Sequence, residues 1–345
     1  MNTTNTRPIA LTGIKATGKP HIGNYLGMIQ PALQLVDEYR ALYFIADFHA
    51  LTTLKDPAML REYTYETAAT WLALGLNPDE VVFYRQSDIP EVFELTWILD
   101  CFTPKGLLNR AHAYKAAVDA NMAAGTNPDD GINAGLFNYP VLMAADILLF
   151  DAHVVPVGLD QKQHLEITRD IALAFNNQYG DVLTVPEALI KEEVMTITGL
   201  DGRKMSKSYD NTIEIFAPPD ELRQRVMKIV TDSRTPADPK NPDECNIFAI
   251  YRHFAPPDDV ERIRQRYLAG GLAYGVLKQE LFELLDAAFG EARERYHHYV
   301  NDTRYIDNVL SRGAQIAHEI AAPVLQRVRD SLGVNRILLA ASINL

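Results

Sequence analysis

Short apolar runs alternate with helical patterns through the first half of this chain, and after about residue 218 the apolar runs stop. Ile9 to Thr12, residues 41–47 (ALYFIAD), 81–88 (VVFYRQSD) and 153–158 (HVVPVG) read as strands. Helical spacing runs from about Ile22, over 58–74, from about 92 through Leu108 to Asn121, over 140–149, and from about Gln163 to Asn176. Pro31 should kink the first of these or mark a restart. Buried strands separated by helices need cover on both faces, which predicts a doubly wound parallel sheet of the α/β class. Ligands of such sheets sit outside the carboxyl ends of the strands. The polar residues that follow each apolar run are therefore the candidates for function.

Beyond Pro218 helical periods appear at 219–231, 244–254, 258–268, 272–297 and 303–332. The pattern predicts a catalytic domain over 1–212 and an all-helical domain over 213–345, with the last helix a candidate to pack back on the first domain. A chain of 345 residues is long enough for a large core and a smaller partner domain. Two isolated cysteines, Cys101 and Cys245, are too few for a disulfide framework or a metal cluster. Together with a start, MNTTNTRP, that lacks a leader pattern, they predict a reduced, cytoplasmic setting. No apolar run approaches a membrane span, so no membrane partner is expected.

The net charge of −12 argues against nucleic acid. Its distribution weakens the objection. Residues 1–212 carry 16 basic and 26 acidic side chains, whereas 213–345 carry 17 and 19 and are richer in arginine, the better phosphate ligand.

Two clusters carry chemistry. The first, TGIKATGKPHIGN (12–24), sets Gly13, Gly18 and Gly23 with His21 and Asn24 between a strand and a helix. Glycines allow close backbone approach, and a helix N-terminus offers unpaired N–H groups, so the turn suits phosphate. A tight turn alone accounts for Gly13 and one other glycine, but not for His21 and Asn24. The second cluster, GRKMSKSYDN (202–211), places Lys204 and Lys207 three apart with Ser206 and Ser208 beside them. Such a loop would stabilise charge gathering on a polyphosphate leaving group.

PHIGN after a first strand and KMSKS far along the chain together resemble the two signatures of the class I aminoacyl-tRNA synthetases. The resemblance implies a Rossmann-like catalytic domain. It also implies activation of an amino acid by ATP, followed by transfer of the aminoacyl group to tRNA. By it, Lys15, Ala16 and Thr17 line the nucleotide's path, while His21, Gly23 and Asn24 meet the phosphates and adenosine. Gly158, Leu159 and Asp160 hold the ribose, and Val194 and Met205 join the ATP site. Lys204, Ser206, Lys207 and Ser208 close over the pyrophosphate, with Lys204, Ser206 and Lys207 as the catalytic group. Mg²⁺ arrives on the ATP; no other metal is expected.

Residues 137–170 address the cargo. Tyr139, Met143 and Asp146 are spaced by four and three, so they share one helix face. Tyrosine and methionine suit a core stripe, but a carboxylate between AA and ILL needs a donor. An indole N–H is a donor only, and methionine packs well on an aromatic ring. YPVLMAADIL and VPVGLDQKQH resemble the tryptophan-specific branch of the family. That resemblance gives Asp146 the indole N–H, Met143 the ring, and Tyr139 and Gln161 the amino group, and adds His49 and Gly13 to the pocket. Tyrosine-specific relatives usually carry glutamine where Met143 stands. The implied partners are L-tryptophan, ATP, its tRNA and a second copy of the chain, joined through an insertion over about 92–140; no DNA is expected.

Some positions depart from the common pattern: Lys15 replaces glutamine, Ala16 proline and Leu11 an aromatic, and Lys115 stands alone where a lysine pair is frequent. Both lysines are expected to supply charge to the phosphates or the substrate carboxylate. The alternatives are a tyrosine-specific enzyme, a small-molecule nucleotidyltransferase and a non-charging tryptophan-binding relative.

Overall fold

The computed structural model describes residues 7–16, 18–158, 161–189 and 197–334. Five parallel strands form one sheet in the order β3-β2-β1-β4-β5: β1 Ile9–Lys15, β2 Arg40–Ala46, β3 Val82–Arg85, β4 Val154–Pro156 and β5 Glu187–Leu189. In β2 every residue after Arg40 is buried, as a strand covered on both faces requires. From β1 the chain builds outward through β2 and β3, then returns to add β4 and β5 on the other side. The order reverses between β1 and β4, the position where such sheets open a binding crevice.

β5 has no counterpart in the sequence reading, and three helical stretches differ from it. The segment after His21 is a short helix, Ile22–Asn24, a π-helical turn, Tyr25–Ile29, and a second helix, Gln30–Leu33. Pro31 explains the wide turn, because its ring would strike the carbonyl four residues back in a regular helix. Residues 92–121 divide into Glu91–Asp100, Lys105–Leu108 and His112–Ala123, with Pro104 at the first break. The helix expected over 140–149 is Ala134–Leu148. The Asn133 side chain caps it by accepting from the Leu136 N–H at 3.0 Å, and Pro140 lies inside it.

Among the described residues, the α-helices of the C-terminal part are Pro219–Met227, Asn246–Tyr251, Pro257–Ala269, Tyr274–Asn301 and Thr303–Leu332. Packing does not part at residue 212, since Ile213 and Ile215 share a cluster with Ile22 and Leu26. The last helix lies across β3. A methyl group on Gly313 would stand 1.8 Å from the Phe83 carbonyl oxygen, so only glycine permits this approach. Ala317, Ala321, Leu325 and Val328 of the same helix complete the sheet's core. Arg327 anchors it further, donating to Asp151 and to the Val182 carbonyl, both at 2.7 Å. No helix among the described residues is long and apolar enough to cross a membrane.

Candidate active site

Asp146 is 2% exposed on the helix Ala134–Leu148. Burial pushes its pKa up, and hydrogen bonds from His49 and Gln86 oppose that rise. His49 Nε2 lies 2.8 Å from Oδ2, and Gln86 Nε2 lies 2.8 Å from both carboxylate oxygens. A carboxylate only accepts, so His49 donates, which fixes its tautomer. His49 sits on the short helix Asp47–Ala50 after β2, and Gln86 on the turn after β3. The carboxyl ends of two strands thus converge on one buried acid. The three bonds leave acceptor capacity on Oδ1. Met143, one turn before Asp146, is half-buried against the sheet's core.

Tyr139 and Gln161 meet through His164, whose Nε2 contacts the Tyr139 hydroxyl and whose Nδ1 is 3.1 Å from Gln161 Oε1. The rings of His49 and Tyr139 stand edge to face at 6.2 Å, which joins this group to the Asp146 cluster. Burial raises the Tyr139 pKa to about 12. Gly13, on β1, faces the Phe44 ring, where an added methyl group would stand 2.7 Å away. Leu11 is buried in the core beside Leu42 and Phe44.

Backbone ties the first signature to the segment that follows the second. Ile22 N–H donates to the Ile213 carbonyl at 2.9 Å, and Ile215 N–H to the Pro20 carbonyl at 3.3 Å, with His21 and Glu214 bridged between them. Asn24 Oδ1 accepts from the His21 N–H at 3.1 Å, which tightens the turn. Gly23 lets the signatures close, because a methyl group there would stand 2.9 Å from His21 Nδ1 and 3.5 Å from Met205 Cβ. His21 is buried, and its pKa falls to about 4 through desolvation and then the charge of Lys207. Near neutral pH its ring is uncharged.

Asn211 shapes the KMSKS loop from below. It accepts from the Ser206 N–H at 2.8 Å and donates to the Lys204 carbonyl at 3.1 Å and to Asp201 at 2.7 Å. Lys204 and Ser208 are exposed and Ser206 is half-buried; the Ser206 and Ser208 hydroxyls are 2.8 Å apart. Lys207 is exposed as a residue, yet its ammonium turns inward, where a methyl group on Gly18 would be 3.2 Å away. Burial lowers the Lys207 pKa, while Glu214 and Glu66 oppose the shift.

Lys15 ends β1 and donates to Thr52 Oγ1 at 3.0 Å and Thr53 Oγ1 at 3.4 Å, with burial lowering its pKa. Ala16, next to it, is fully buried. Lys115 is placed differently: it is exposed on its helix and pairs with Asp119 at 3.0 Å. Gly158 follows β4. Thr17, Leu159, Asp160 and Val194 lie outside the described residues.

Gln86 and His164 escaped the sequence reading. Gln86 sits in RQSD, which resembles any polar turn after a strand. His164 closes a polar run, DQKQH. The available signal was position, just beyond the carboxyl ends of β3 and β4.

Residues 3–290 match the family described as tRNA synthetases class I (W and Y). A tryptophan–tRNA ligase of Pseudomonas aeruginosa is 52% identical over 332 residues, covering 95% of this chain and 74% of the relative. One from Bordetella parapertussis is 50% identical over 342 residues, covering 98% and 75%. The solved tryptophanyl-tRNA synthetase from Campylobacter jejuni, complexed with ADP and tryptophan, aligns with a TM-score of 0.85 at 45% identity, over 94% of this chain and 99% of that one.

Proposed function

The chain belongs to the class I tRNA synthetases of the tryptophan and tyrosine group, and from that premise we infer that it activates L-tryptophan with ATP and transfers it to tryptophan tRNA. The observation that carries the choice of cargo is Asp146, a buried carboxylate on an apolar helix that keeps acceptor capacity beside His49 and Gln86. An indole N–H completes it, Met143 packs on the ring, and Tyr139 and Gln161 take the ammonium group.

The tryptophan carboxylate attacks the ATP α-phosphorus, forming tryptophanyl-adenylate as the bond to pyrophosphate breaks. A hydroxyl at the tRNA 3′ end then attacks the carbonyl and AMP leaves. No side chain needs to act as nucleophile. The protein positions the reactants and stabilises charge on the leaving pyrophosphate. Lys204, Lys207 and Ser206 serve that charge, and Mg²⁺ arrives with ATP. Neutral His21 meets the phosphates as a hydrogen-bonding group without adding positive charge.

The enzyme works in the cytoplasm as a homodimer, with tRNA lying across both subunits. Trp97 and Met122, 72% and 62% exposed in the 92–140 segment, support that interface. The helical region receives the anticodon. Purified protein should charge tRNA when tryptophan alone is offered, and should exchange pyrophosphate with tryptophan rather than tyrosine. Exchange driven by tyrosine would overturn the choice of cargo, and exchange without tRNA charging would overturn the ligase reading.

A further inference from the structure

The direction of the hydrogen bonds around His164 has a consequence for substrate choice. His164 is 5% exposed near the start of the helix Lys162–Tyr179. Its Nδ1 faces Gln161 Oε1 at 3.1 Å, and its Nε2 faces the Tyr139 hydroxyl. An amide oxygen can only accept, so Nδ1 carries the hydrogen and donates it. A neutral imidazole has one ring hydrogen, so Nε2 is an acceptor and the phenol must donate to it. Tyr139 therefore points its only hydrogen inward and presents bare lone pairs on its other side. Gln161 Oε1, accepting one hydrogen from His164, keeps a second lone pair.

An ammonium group has three donors and no acceptor. Two oxygens stripped of outward hydrogens suit it, whereas a phenol turning its hydrogen outward would oppose it. We propose that His164 is a positioning residue for tryptophan activation, one that sets the hydrogen direction of Tyr139 and Gln161 so that the site selects a protonated α-amine. This deepens the reading of Tyr139 and Gln161 as ammonium ligands and rests on it. His164 does not touch substrate in this account. It acts through its two neighbours.

The test compares L-tryptophan with indole-3-propionate, which has the same ring and carboxylate but no amine. Calorimetric titration of both ligands uses the full-length protein, Tyr139→Phe, His164→Ala and His164→Gln. For His164→Ala, tryptophan affinity should fall at least about tenfold while indole-3-propionate binding changes less than about twofold, the size expected for weakened hydrogen bonds to a charged group. His164→Gln should recover part of the preference, since one amide can accept from the phenol and donate to Gln161. Equal loss of both ligands, which includes failure of the variant to fold, would assign His164 a purely structural role and overturn the proposal. An unchanged preference in His164→Ala would overturn it as well. A Tyr139→Phe protein that keeps the full preference would instead remove the underlying ammonium assignment.

Discussion

At the cargo end of the site, Asp146, Gln86 and His49 are held by the sheet's strand ends and a capped helix, with the acid and the amide buried. At the phosphate end, Lys204 and Ser208 stand exposed on a loop held by the Asn211 side chain and tied by backbone, through residues 213–215, to the turn before Ile22. The contrast follows from what each end must recognise. An indole has the same shape and charge before and after reaction, so a rigid, desolvated pocket reads it well. Negative charge on pyrophosphate grows during reaction, so cations that engage late contribute most to rate. Burial supplies selectivity at one end, and adjustable charge supplies acceleration at the other.

That contrast is most exposed to a test at Lys207. Lys207→Ala should lower kcat for tryptophan-dependent pyrophosphate exchange by about 10²- to 10³-fold with little change in the tryptophan KM. A loss confined to KM would make the phosphate end a binding device like the cargo end. Asp146→Ala should show the opposite split, raising the tryptophan KM by about ten- to a hundredfold while the ATP KM holds, because Gln86 and His49 are also left without their acceptor. A variant that lost kcat alone would break the comparison from that side.

His21 sharpens it through pH. Its folded pKa of about 4 is below the unfolded value of 6.5, so the unfolded chain binds the proton more readily between these values. The contribution is fully present above pH 6.5 and is lost as pH falls toward 4. Urea unfolding should show His21→Asn losing about 3 kcal/mol less than the parent protein between pH 7 and pH 4. Because the charge of Lys207 is one cause of the depression, Lys207→Ala should also raise the His21 pKa in an NMR titration. The smallest effects separate the two unusual lysines. Lys15→Gln should slow exchange by about five- to tenfold, as expected for loss of a charge-assisted contact. Lys115→Ala, removing an exposed pair with Asp119, should leave the rate within about twofold.

The sequence made four of the strands legible because each holds an apolar stretch, buried along nearly all of β2 and in part in β1, β3 and β4. β5 was not, since Glu187–Leu189 is short, partly exposed and follows a proline. Asp146 announced itself as an acid among alanines and leucines. Its partner Gln86 did not, because a glutamine between Arg85 and Ser87 looks like surface until β2 and the helix Ala134–Leu148 enclose it. Helix limits near prolines were the least readable. Pro140 resembles a helix start, yet the cap is Asn133, seven residues earlier.

The seat of Gly313 on β3 also bears on how the polypeptide is made. β3 is the edge of the sheet, and its cover is translated more than two hundred residues later. At about 5–20 residues per second, the interval between translation of Phe83 and of Gly313 is on the order of ten seconds or more. During it a bare strand edge, the kind that recruits other chains, must be shielded by something else. A nascent chain that stalls before residue 313 is thus a candidate client for a holding chaperone.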